Sequence, residues 1–143
     1  MMENYVIEPL KGYGEFQFGM SIDEVVESLG QPSNQEEIES AYDDGNHIIV
    51  LDYEDFDLSM YFEGDAVQRL ANFYTYNENS VLFGAKIFDL NKDQLIELMK
   101  ENGYEDFVED NEDGECLTYE ELNLDFYFDD NQLVEVFWEC QRG

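Results

Sequence analysis

The sequence predicts an α+β fold of two tandem repeats, each a helix packed on an antiparallel three- to four-stranded sheet. Three observations predict it: a segment that occurs twice, a helix start ahead of each copy, and a strand alternation with one apolar face in both. Leu51-Asp-Tyr-Glu-Asp-Phe-Asp-Leu-Ser-Met-Tyr-Phe62 aligns without gaps on Leu117-Thr-Tyr-Glu-Glu-Leu-Asn-Leu-Asp-Phe-Tyr-Phe128, and six of the twelve positions are identical.

The first repeat is expected over residues 1–77 and the second over 81–143, joined by the polar Asn77-Glu78-Asn79-Ser80 into one compact unit. Ser21-Ile-Asp-Glu24 and Asn91-Lys-Asp-Gln94 both place a capping residue three positions before Glu or Gln, the spacing of a capping box. Val25, Val26 and Leu29 then fall on one side of the first helix, and Leu95, Ile96, Leu98 and Met99 on one side of the second. Gly30, with Pro32 beyond it, and Gly103 supply the stops. Asp44-Gly45 and Asp113-Gly114 read as two-residue hairpin turns. The twinned segment follows in each copy, then a turn (Glu63–Ala66, Asp129–Gln132) and a second apolar strand.

Read as continuous strands, the twinned segments place Phe56, Leu58, Met60 and Phe62 opposite Tyr53, Asp55, Asp57, Ser59 and Tyr61. Leu122, Leu124, Phe126 and Phe128 likewise oppose Tyr119, Glu121, Asn123, Asp125 and Tyr127. The apolar faces are expected to cover the helices. The acidic, tyrosine-ended faces are either ordinary solvated strand faces or a recognition surface, since tyrosines anchor interfaces and acids suit a basic partner.

Composition narrows the partner. Thirty-six Asp plus Glu against six Lys plus Arg give a net charge of −30. With 43% hydrophobic and 15% aromatic residues the chain is too rich in core-formers for an acidic disordered segment. Six scattered cations cannot neutralise a phosphate backbone, so DNA, RNA and anionic membranes are excluded as direct partners and basic proteins are favoured. Met1–Glu8 has neither the cationic nor the apolar region of a secretory signal, and no apolar run is long enough to span a bilayer, so a cytoplasmic protein is expected. Cys116 and Cys140 are too few for a disulfide framework, and a hairpin of 116–128 with 132–140 would leave them out of register as reduced thiols.

Catalytic and metal patterns are weak. His47 stands alone before Ile48-Ile49-Val50-Leu51, with no nucleophile elbow near it, and Gly12-Tyr-Gly14 is not a phosphate loop. One His and two separated Cys do not make a zinc site. Glu109-Asp-Asn-Glu-Asp-Gly114 followed by Glu120 comes near a calcium loop, but Glu121–Phe128 alternates as a strand where the exiting helix should stand. No enzyme activity, cofactor or metal is therefore expected. Two acid groups, Glu36, Glu37, Glu39, Asp43 and Asp44, and Glu105, Asp106, Glu109, Asp110, Glu112, Asp113 and Glu115, read either as solvated loops or as a field that steers a cationic partner.

Phe18-Gly-Met-Ser-Ile-Asp-Glu-Val-Val-Glu-Ser-Leu-Gly-Gln-Pro32 resembles the G-M-[ST]-x-x-E-V-x-x-x-L-G-x-P segment of β-lactamase-inhibitor-protein-like domains and small outer-membrane assembly lipoproteins. In the inhibitor family two α/β repeats stand in tandem and their sheets grip a protein, and the resemblance implies the same here. The second copy lacks the Gly-Met and Leu-Gly-x-Pro parts. Without a signal peptide or disulfide-style cysteines, the chain looks more like a cytosolic bacterial immunity protein. The expected function is a non-enzymatic inhibitor that occludes a basic, nuclease-like toxin. Its contacts would come from Tyr53, Asp55, Asp57, Tyr61, Tyr119, Glu121, Asp125 and Tyr127, with Glu109, Asp110, Glu112 and Asp113 assisting association. The alternatives are a DNA mimic that occupies a DNA-binding protein, and an accessory domain whose acidity serves only solubility.

Overall fold

The computed structural model describes residues 4–39, 47–112 and 114–141. The expected turn at Asp44-Gly45, its neighbour Asp43, and Asp113 lie outside them.

The chain opens on three two-residue strands, β1 (Ile7–Glu8), β2 (Gly12–Tyr13) and β3 (Phe16–Gln17), which form a small sheet. Helix α1 (Ile22–Leu29) follows, then β4 (Asn34–Glu39), β5 (His47–Tyr53), β6 (Leu58–Gly64) and β7 (Arg69–Thr75). A two-stranded ribbon, β8 (Val81–Leu82) with β9 (Ala85–Lys86), leads to α2 (Lys92–Glu101). The remaining strands are β10 (Val108–Asp110), β11 (Glu115–Tyr119), β12 (Leu124–Asp129) and β13 (Gln132–Glu139).

The helix starts form as their residues dictate. Ser21 Oγ accepts from Glu24 N while Glu24 Oε1 accepts from Ser21 N, both at 3.2 Å. Asn91 and Gln94 exchange the same two bonds at 2.9 Å. Val25, Leu95 and Met99 are wholly buried beneath the helices. At the β12–β13 hairpin, Asp130 and Asn131 both take positive φ, the geometry that lets a two-residue turn follow the twist of its strands.

The expected fold class is corrected. The structure is 47% strand and 21% helix, and its centre is one eight-stranded antiparallel sheet rather than two helix-on-sheet repeats. The strand order is β10-β11-β12-β13-β7-β6-β5-β4. What fuses the sheet is the pairing of β7 with β13, from Thr75↔Val136 to Asn72↔Glu139. Each of these strands ends a local meander, so local periodicity leaves it as an edge, whereas the structure makes the two the middle of the sheet.

A second correction concerns the twinned segments. Each is a hairpin, not a strand. The chain reverses through 3-10 turns at Glu54–Phe56 and Glu120–Leu122, and leaves them through left-handed residues, Asp57 and Asn123, both at φ 51°. Tyr53 therefore pairs with Leu58, and Tyr119 with Leu124. The hairpin expected between 116–128 and 132–140 forms over Leu124–Asp129 and Gln132–Glu139, whereas Cys116 belongs to β11 and faces Tyr127 on β12.

The core lies on one face of the sheet. The cross-strand row Gln35–Leu51–Met60–Phe73–Trp138–Leu124–Tyr119 runs from β4 to β11, and from Leu51 to Tyr119 its members are buried. Phe73 stacks on Trp138 at 5.2 Å, and Tyr13 stands edge-on to both. The N-terminal sheet closes this core from outside. The Trp138 indole donates to Gly12 O at 3.1 Å, and the Tyr13 and Ser80 hydroxyls meet at 2.7 Å. Gly12 has no alternative there: a Cβ would sit 2.0 Å from Phe16 O.

Candidate partner-docking face

The opposite face of the sheet follows from the same registers, one residue out of phase. Its middle row is Asn34–Asp52–Ser59–Tyr74–Phe137–Asp125–Thr118–Val108, crossing all eight strands. On one side lies Glu36–Val50–Tyr61–Asn72–Glu139, and on the other Asp110–Cys116–Tyr127–Glu135. The tyrosines, Phe137 and the acids of these rows stay outside the core cluster to which both helices contribute.

The face has an aromatic centre within an acidic surround. Tyr74 and Phe137 are direct cross-strand partners on β7 and β13, and Tyr61 meets Phe137 edge-on at 6.2 Å. Asp52 lies beyond Ser59, whose hydroxyl donates to it at 2.5 Å, and Asn34 Nδ2 donates to its other oxygen at 3.2 Å. Asp125 flanks Phe137 on the other side. Among the described strand residues, one cation joins this face: Arg69, at its corner beside Glu63, with its guanidinium donating to Gly19 O at 3.0 Å.

Partial burial and negative neighbours act together on the ionisable groups here. Burial raises the Asp125 carboxyl above the usual range, partly offset by the Thr118 hydroxyl. Burial pushes the Tyr127 phenol up to about 12, with Asp125 and Glu135 adding to it. Tyr61 is raised by burial and then by Asp52 and Glu36, and Tyr74 by burial and then by the Glu135 carboxylate. The Cys116 thiol is also raised, chiefly by burial, which leaves it a poor nucleophile at neutral pH. Each of these shifts is a cost of holding negative charge on this face, and a bound cation would relieve it.

The expected contact residues separate into three places. Tyr61, Asp125 and Tyr127 stand on this face. Tyr53 and Tyr119 point into the core, 4% and 1% exposed, and are withdrawn as surface anchors. The Tyr53 hydroxyl donates to Gly30 O at 2.9 Å, whereas the Tyr119 hydroxyl is buried with no hydrogen-bond partner among the described residues. Asp55 and Glu121 lie exposed in the 3-10 turns at the strand ends, and Asp57 is half-buried with its carbonyl accepting from Thr75 Oγ1. Of the loop acids, Glu109 is ion-paired with Lys92, and Asp110 Oδ1 accepts from Glu112 N. Glu112 itself is exposed.

Tyr74, Phe137, Asp52 and Glu135 were not among the expected contacts. The signal was present in Phe73-Tyr74 and Phe137-Trp138. Adjacent aromatics on one strand mean that both of its faces are used, which marks a central strand.

Neither a family model nor a curated protein matches the chain. Among solved structures it is similar to a cysteine-rich secretory protein from Staphylococcus aureus subsp. aureus Mu50, with a TM-score of 0.51 and 14% identity over 93% of this chain. The similarity takes in 46% of that chain, so the present chain spans about half its length. At this identity the likeness concerns the fold alone. No helix among the described residues is long and apolar enough to cross a membrane.

Proposed function

We propose that the chain is a non-enzymatic inhibitor that binds a basic protein across the open face of its sheet. In its concrete form it is a cytoplasmic immunity protein that occludes the phosphate-binding surface of a nuclease-like toxin. The observation that carries this reading is the middle row, where Tyr74 and Phe137 stand between Asp52 and Asp125 on the side of the sheet away from the core cluster. Aromatics bring contact area with little rotamer entropy, and lysine or arginine can lie against their rings while reaching a carboxylate. The surrounding charge speeds encounter with a cationic surface. The resemblance of Phe18–Pro32 to the inhibitor family supports a grip made by a sheet.

The test is co-expression with the product of the adjacent reading frame, paired with a binding measurement. The wild-type chain should restore growth and bind that product at about nanomolar strength, and a Tyr74→Ala/Phe137→Ala double variant should lose at least about a hundredfold in affinity. No rescue together with no binding at low salt would refute the reading. Competition with DNA for several unrelated basic proteins would instead favour the DNA-mimic alternative.

A further inference from the structure

The two edges of the large sheet differ. β10 is three residues long, and its acids are engaged, Glu109 by Lys92 and Asp110 by the Glu112 amide. β4 is six residues long and pairs with β5 at every position, without a register shift. Among the described residues no strand adjoins its outer side, so alternate residues present unpaired backbone N–H and C=O groups there. A long edge is ordinarily guarded by charged side chains, lysine above all, by proline, by a bulge or by a covering segment. β4 has no lysine, no proline and no bulge, and its charged guards, Glu36 and Glu37, turn away acidic strands but not basic ones.

Its side chains decide which strand can use it. Glu36 shares the face of Asn34 and Ile38, and Glu37 belongs to the other. Ile38 is 40% exposed, and Glu37 Oε1 lies 3.1 Å from Nδ1 of the exposed His47. A second copy of the chain would bring like charge against like charge on both faces, which disfavours self-pairing. A cationic strand meets the opposite situation.

We infer that β4 is an acceptor edge for strand addition by an extended basic segment of a partner protein. The segment carries lysine or arginine opposite Glu36 on one face and opposite Glu37 on the other, with an apolar residue opposite Ile38. Main-chain hydrogen bonds provide attachment, and the alternating charges set register and sign. The edge borders the open face and shares Glu36 with it, but its backbone groups lie apart from the Tyr74–Phe137 centre, and it stands whether or not that centre binds a toxin.

The probe is a short fluorescent peptide alternating lysine and valine, titrated onto the intact chain at low salt, with hydrogen exchange locating the contact. Saturable binding should slow exchange of the amides of residues 34–39, and N-methylation of alternate peptide amides should abolish it. Glu36→Lys/Glu37→Lys, which alters only exposed side chains and should leave the circular dichroism spectrum unchanged, should weaken binding about tenfold or more. The inference is overturned if the peptide does not bind, if its N-methylated form binds equally well, or if the double variant retains full affinity. Protection confined to the strands of Tyr61 and Tyr127 would overturn it as well.

Discussion

Tyr53 and Tyr119 are equivalent in the twinned segments, both buried, and differ in one respect: the first hydroxyl donates to Gly30 O and the second has no partner among the described residues. Removing each hydroxyl should therefore move stability in opposite directions. Tyr53→Phe deletes a neutral hydrogen bond with a net worth of about 0.5–1.5 kcal/mol. Gly30 is exposed, so its carbonyl can turn to water and the full penalty of an unsatisfied acceptor does not arise. The expected loss is about 1 kcal/mol, or about 3–4 °C in melting temperature for a chain of this size. Tyr119→Phe deletes a hydroxyl that carries a desolvation penalty of about 1–3 kcal/mol without a bond to offset it, so stability should stay level or rise by about 1 kcal/mol. Urea titration of the two variants beside the wild type, with the slope checked for constancy, measures both. The reasoning fails if the two substitutions destabilise equally, or if Tyr119→Phe costs more than Tyr53→Phe.

Gly12→Ala should destabilise by about 2–4 kcal/mol, because the new methyl meets Phe16 O at 2.0 Å in the segment that receives the Trp138 indole; near-ultraviolet circular dichroism during thermal unfolding would report it. Ser21→Ala and Asn91→Ala should each cost about 1 kcal/mol through loss of a helix cap, and the two losses should add in the double variant. Stability should also fade in alkali. Tyr13, Tyr119 and Tyr127 are pushed up to about 12, mainly by burial, so the folded chain keeps protons that the unfolded chain releases near 10.0. Their contribution is complete below that value and is lost as pH rises towards 12. A urea midpoint that stays flat across this interval would contradict it.

What the sequence made legible was local. The capping boxes at Ser21 and Asn91, the glycine after each helix, the turn at Asp130-Asn131 and the twinning of 51–62 with 117–128 all depend on residues within a few positions of one another. The 3-10 reversals were hidden by phase. Crossing Glu54–Asp57 leaves the apolar alternation in step, so a hairpin reads as one strand with Tyr53 and Tyr61 on the same face. The β7–β13 pairing was hidden by distance, since Thr75 and Val136 carry no mark that they are neighbours. The candidate face inherited both errors. Tyr61, Asp125 and Tyr127 were found from alternation, whereas Tyr74 and Phe137 come together only when the sheet closes.

The central position of β13 also bears on how the protein is made. Residues 132–139 are synthesised after every other described strand, yet they fill the middle of the sheet and deliver Trp138 to Gly12, 126 positions earlier. Until they emerge from the ribosome, β7 and β12 each lack a neighbour, and the underside of the N-terminal sheet lacks the indole that fills it. Sheets completed by such distant pairings close slowly, and unpaired aromatic strands invite aggregation meanwhile. A chain with 36 acids repels its own nascent copies throughout that interval, so the charge protects the protein before its sheet is complete.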